Sequence, residues 1–333
     1  ALMHGADYAL SDPQGRGRFA NADLWAQFAP ILRASSSEAG STPPDVLFVT
    51  SDVAWMYTVD PQAFLGAVSR SARDAALSTG ASVRFVLLED VLTGTAPAAR
   101  AYLFCDAVSL DAEERDALHA LLAAQHAAAI WLYAPGYFAA DSPSTDNVSK
   151  TAKIKVGAYR GPASASCAFT VEGNWIQKDG PLAITGTWSP LLYVDDESAD
   201  VLAQYTSDQK AAVAVKFLDE GWTSMLVCPP VLSAPLLREL LDIADTPMWI
   251  PGGPTEEGLV HRAGPDWIAH AAAEVKGELR FATPVDVTDV LDDTRAWKGV
   301  RSVPIQLGRG ETLWLRTVPS VAPAPVETAP EPR

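Results

Sequence analysis

Cys105 has the most direct claim to covalent chemistry in this sequence. It ends the apolar run AYLFC just before a stretch with helical patterning, a place where a thiolate could gain from a helix N-terminus. The adjoining Asp106 works against that, because a neighbouring carboxylate raises a thiol pKa, and no histidine lies nearby in sequence to act as base. A buried structural cysteine is the reading that follows. A small hydrolase or transferase using Cys105 as nucleophile is the alternative.

Hydrolysis of a glycosidic bond requires two carboxylates roughly 5 to 10 Å apart across a sugar-sized cleft. Among 41 acidic residues the sequence singles out no such pair. The runs Asp195-Asp196-Glu197 and Asp292-Asp293 fall in predicted turns and read as solvated acids. His119 and His126 lie seven residues apart, too far for a helical i, i+4 metal pair, and His261 and His270 fall on predicted strands. Cys105, Cys167 and Cys228 are widely spaced, without a CxxC pair, so neither a zinc site nor a disulfide framework is indicated. There is no GxGxxG and no GxxxxGK[ST], and the sequence calls for no cofactor.

Ten tryptophans are present, many of them near predicted strand ends or loops. Their expected role is core or interface packing. A stand-alone glycan-binding module is the rival reading, and it requires two or three of Trp175, Trp188, Trp222 and Trp267 to line one exposed groove.

These groups must be positioned by a chain of 333 residues, 48% hydrophobic and 20% charged, enough for two domains and a third small one at roughly 100–200 residues each. The formal charge of −16 would repel phosphate backbones and anionic lipid surfaces, so neither nucleic acid nor a membrane is an expected partner. The N-terminal residues Ala1-Leu2-Met3-His4 carry no signal-peptide pattern, and the compartment, cytoplasmic or secreted, stays open.

Residues 1–33 read as a short strand, a polar loop and a helix, and the Ser/Gly/Pro-rich residues 34–44 as a linker. From Asp45 apolar strands alternate with amphipathic helices. DVLFVT, VRFVLLED, AYLFC and AIWLYAPG are the predicted strands; helices are expected over about 61–78 and, capped by Ser109, 110–125. Continuous apolar strands of this kind indicate a parallel sheet covered on both faces. Residues 139–196 read as irregular structure with edge strands. AAVAVKF, TSMLVC and a helix from Ser233 then close the same sheet, giving an α/β domain over 45–246. Short runs from 247 to 318 imply a small antiparallel β-sandwich, and the Pro/Ala/Glu-rich tail from 319 to 333 a disordered end. Ligands of a doubly wound sheet sit beyond its C-terminal strand ends, which points to Thr50-Ser51-Asp52, Glu89-Asp90, Cys105-Asp106 and Ala134-Pro135-Gly136-Tyr137.

The succession VLFVTSDVAWMY, TGASVRFVLLEDVL, ARAYLFCDAVSLDAEERDAL and AAAIWLYAPGYFA resembles the amidotransferase-like α/β domain that follows the catalytic barrel in family 42 β-galactosidases, where it is called the trimerisation domain. WSPLLYVDD, ADVLAQYT, GWTSMLVCPPVLSAPLLRELL and ATPVDVTDVLDD resemble the rest of that domain and the small β-sandwich that ends such enzymes. His4-Gly5-Ala6-Asp7 resembles the segment at the last barrel strand.

The resemblance implies a flavodoxin-like, class I amidotransferase-like parallel sheet followed by the β-sandwich. It also implies a homo-oligomer, with a trimer as the family's pattern, serving an enzyme that acts on β-galactoside-like carbohydrate. The family's catalytic glutamates lie on earlier barrel strands, so no catalytic residue is implied here. The implied contribution to a sugar site is confined to Asp12, Arg16 and Arg18. Two departures stand out: Ser11-Asp12-Pro13-Gln14 replaces the family's aromatic-Trp-Arg stretch, and the turn after IWLY has Pro135-Gly136 where an amidotransferase would have its cysteine.

Overall fold

The computed structural model describes residues 43–320, except 140–141, 183, 185, 249–257, 264, 272–273 and 293. One compact unit spans Thr42–Trp249 and the main stretch of a second begins at Ile250.

In the first unit, β1 (Val46–Thr50), β2 (Val83–Leu87), β3 (Ala101–Phe104) and β4 (Ala128–Leu132) run parallel in the order β2-β1-β3-β4. The successive residues Val46, Leu47, Phe48 and Val49 are each at most 2% exposed, so both faces of the sheet are covered. Beyond β4 the sheet continues through β7 (Thr223–Val227), β6 (Ala211–Phe217) and β5 (Asp200–Tyr205). β7 is parallel to β4, whereas β6 is antiparallel to β7 because a tight turn joins them. Phe104 and Trp131 stack at 4.3 Å in the core between strands, and Trp131 Nε1 donates to Ser224 Oγ at 3.2 Å.

The helix expected over 61–78 is continuous but not uniform. α1 (Pro61–Leu65) and α2 (Ser71–Leu77) are joined by a π turn over Gly66–Arg70, and Asp60 caps the start by accepting from the Ala63 N–H at 3.0 Å. The strand read through Asp90 stops at Leu87. There the Asp90 carboxylate accepts the Leu87 N–H at 3.2 Å and starts α3 (Leu88–Leu92).

α4 (Ala112–Gln125) is capped by Asp111 rather than Ser109. Asp111 and Glu114 exchange side chain to backbone bonds of 2.8 and 2.9 Å, a capping box that outcompetes the serine. The region read as irregular contains α5 (Thr145–Ala152), capped by Ser144, besides its short strands. Ser233 caps α6 (Ala234–Ile243), whose Leu236, Leu237, Leu240 and Leu241 are fully buried.

The second unit is an antiparallel sheet of β8 (Gly258–Ala263), β9 (Asp266–Ala271), β10 (Val275–Asp289), β11 (Ala296–Leu307) and β12 (Thr312–Pro319). Its order is β8-β9-β12-β10-β11. ELRFA and VDVTDVL, separate runs in the sequence, share the one long strand β10, whose pairing with β11 shifts register between Arg280 and Val285. Trp267, Leu279, Val287, Ile305 and Leu315 are buried in this unit, and Arg316 grips the buried Asp266 through bonds of 2.7 and 2.9 Å. The fold class is therefore an α/β sheet followed by an antiparallel β region, as the sequence pattern indicates. The residues beyond Ser320, read as a disordered tail, lie outside the described ones.

Candidate functional site

The chain passes from β1 to β2 on one side of the sheet and builds β3 and β4 on the other. The loops leaving β1 and β3 therefore diverge, and such a switch point opens a crevice beyond the strand ends. A pocket of about 270 Å³ occupies this place, lined by Tyr57, Phe64, Tyr133, Tyr137, Phe138 and Trp188 together with Asp60 and smaller residues. Tyr57 and Phe138 stack at 4.7 Å, and Tyr133 stands 6.2 Å from Phe64 and 6.1 Å from Trp188 between ring centres.

Local structure fixes each ring. Tyr57 ends a 3-10 turn (Ala54–Tyr57) pinned by the buried Ala54. Phe138 is held by backbone bonds from its N–H to Val108 and from the Leu110 N–H to its carbonyl, 2.9 and 3.1 Å. Tyr137 follows Gly136, which has φ 62° and passes so close to α5 that a Cβ would lie 2.3 Å from Thr151 Oγ1.

Tyr133 follows the last residue of β4 with φ 68°, an uncommon conformation for a residue other than glycine. A strained turn at a strand end is how α/β-hydrolases expose a nucleophile. Here the turn carries a phenol. The Tyr133 hydroxyl donates to the Pro190 carbonyl at 2.5 Å, and burial, with a smaller contribution from Tyr137, pushes its pKa further above the ordinary tyrosine value. The group stays protonated at neutral pH and holds the segment bearing Trp188 rather than attacking a substrate.

Cys105 is fully buried. Burial first, and then the charge of Asp106, hold its thiol well above the ordinary range, so almost no thiolate forms near neutrality. Asp106 is 3% exposed and accepts from the Ser51 N–H at 2.7 Å and from Ser69 Oγ at 3.1 Å. Burial raises its pKa, and these hydrogen bonds only partly offset it. The π turn supplies Ser69. Cys105, Asp106, Ser51 and Ser69 thus form an internal brace between β1, β3 and the first helices. Three histidines are engaged elsewhere: His119 with the Thr151 carbonyl, His126 with that of Gly221 and His270 with Thr312.

Of the four tryptophans weighed for a shared groove, Trp188 alone lines the pocket; Trp222 is buried against His119, Trp175 lies against Arg238, and Trp267 belongs to the second unit. Asp195 and Glu197 are exposed as expected of a turn. Asp196 is not a solvated acid: Lys216 binds it at 2.8 Å with only 11% of its side chain exposed, because the Lys155 N–H and Ser198 converge on the same carboxylate. Asp12, Arg16 and Arg18 lie outside the described residues. Among the described residues no three His, Cys, Asp or Glu side chains gather as metal ligands, and no helix is long and apolar enough to cross a membrane.

The pocket was only partly legible beforehand. Tyr137 falls in a strand-end stretch and Trp188 among the four tryptophans weighed for a groove, whereas the sequence pattern singles out none of Tyr57, Phe64, Tyr133 and Phe138. The turn after β4 was the one usable signal for Tyr133.

No protein-family model and no curated protein matches this sequence. Solved structures do. The chain is similar to the β-galactosidase of Bacillus circulans sp. alkalophilus, with 14% identity and a TM-score of 0.61 over 88% of this chain and 44% of that one. The β-galactosidase of Rahnella sp. R3 gives 14% identity and a TM-score of 0.62 over 89% and 44%. That of the haloarchaeon Halorubrum lacusprofundi gives 13% and 0.55 over 85% and 41%. At these identities the likeness is one of fold: the chain has a fold contained in β-galactosidases. It spans less than half the length of each.

Proposed function

We propose that this chain is the non-catalytic assembly-and-support portion of a glycoside hydrolase acting on β-galactoside-like glycans. The observation that carries the reading is the extent of the fold likeness, most of this chain against less than half of each β-galactosidase. The chemistry of the strand ends agrees, since the turn after β4 holds a hydrogen-bonded phenol and Cys105 is sealed from solvent. In this reading the α/β domain contacts further copies of itself, with a trimer as the family-based expectation. Trp55 and Met56, 49% and 62% exposed on the loop after β1, offer apolar contact surface.

The test combines turnover on a panel of aryl glycosides with mass in solution by light scattering, on one sample of the purified chain. A defined oligomer without turnover is the expected result. Robust turnover abolished by replacing a single acid or Cys105 would overturn the proposal.

A further inference from the structure

The pocket at the switch point has a composition that assembly alone does not require. Six aromatic rings converge on it, and among the described residues Asp60 is the one charged group that lines it. One Asp60 oxygen is engaged as the cap of α1, and the other makes no hydrogen bond among the described residues. The Tyr57 and Tyr137 hydroxyls, the Trp188 indole N–H and the hydroxyls of Thr58 and Ser189 likewise have no partner among the described residues. Among the described residues no cation lines the pocket, and the Asp60 carboxylate disfavours phosphate and other anions.

From these features we propose that the pocket binds a neutral saccharide, one pyranose ring in size. The apolar faces of a pyranose stack on aromatic rings, while its hydroxyls both donate and accept, matching the open carboxylate oxygen and the unengaged O–H and N–H groups. A quaternary ammonium would also suit aromatic rings beside a carboxylate. It has no acceptor, however, and would use none of the hydrogen bonds that the Trp188 N–H and the hydroxyls offer. The volume of about 270 Å³ lies at the small end of ligand pockets and selects a single ring over a chain. The inference rests on the pocket and not on the assembly reading.

Ligand-observed NMR and calorimetry on the purified chain test it, with galactose, glucose, choline chloride and inorganic phosphate as probes. Saturable binding of galactose or glucose in the millimolar range is expected, weakened about tenfold or more in Trp188→Ala. Tyr57→Phe, which keeps the ring and removes only the hydroxyl, should weaken it severalfold, so the result does not hang on a variant that disturbs packing. Absence of saturable sugar binding to the folded chain would overturn the proposal. So would sugar binding indifferent to both substitutions, or choline binding at these residues in place of sugar. Because glycoside turnover and solution mass are separate readouts, failure here is distinguishable from failure of the assembly reading.

Discussion

The Tyr133 hydroxyl meets the Pro190 carbonyl at 2.5 Å, joining the strained end of β4 to the segment that presents Trp188. Replacing Tyr133 with Phe removes this bond and leaves a partly buried carbonyl without its donor. A loss of about 1–2 kcal/mol in chemical denaturation is expected, with a changed near-UV circular dichroism signal as Trp188 loosens. Unchanged stability and spectrum would mean that the bond positions nothing.

Cys105 should be inert in the native state. Burial protects its sulfur and suppresses its ionisation, so a thiol reagent at pH 8 should modify it only at the rate at which the chain unfolds. Fast modification of Cys105 in folded protein, read by mass spectrometry, would revive the nucleophile reading.

Asp106 makes stability depend on pH in a defined direction. Its folded pKa is raised, so its contribution is fully present below the unfolded aspartate value of about 4 and is lost as pH rises through the folded value. Asp106→Asn keeps an acceptor for the Ser51 N–H but does not titrate. The variant should gain on the parent as pH climbs above about 4, then run parallel once the parent carboxyl has ionised. Curves parallel across the whole range would contradict this.

Asp196 has the opposite sign. Burial alone would raise its pKa, but the hydrogen bonds from Lys216, Ser198 and the Lys155 N–H prevail and depress it well below the carboxylate range. Its stabilising contribution is present above the unfolded value of about 4 and disappears as pH falls through the folded one. Lys216→Met should therefore cost about 1–2 kcal/mol at pH 7, discounted for the partial exposure of the pair, and much less in acid. An equal cost at both pH values would assign the loss to packing.

Much of the sheet was readable from the sequence because its strands are uninterrupted apolar runs, a pattern that needs cover on two faces wherever it occurs. β1, β3 and β4 are such runs. Sequence pattern and structure part where a local polar contact decides the outcome: Asp90 ends β2, and Asp111 displaces Ser109 as a cap. α5 is not legible because TDNVSKTA has too few apolar residues to show a period, although Val148 and Ala152 are fully buried. The pocket was harder for a different reason. Tyr57, Tyr133 and Trp188 are far apart in sequence, and the strand order alone brings them together.

That strand order also governs how the molecule can be made. β4 pairs with β3, which lies close before it in the chain, but its other edge is completed only by residues 223–227. Until then Trp131 and its neighbours border an open strand edge, while a loop of some ninety residues must close at an entropic cost that grows only slowly with its length. Docking of β7 onto β4 should therefore be a late event in folding, and pulsed hydrogen exchange should find amides at that seam protected after those of β1 and β3. Simultaneous protection would indicate that the sheet closes as one piece. If docking is late, a chain interrupted before Thr223 carries an unsealed hydrophobic seam and is the form most prone to aggregate.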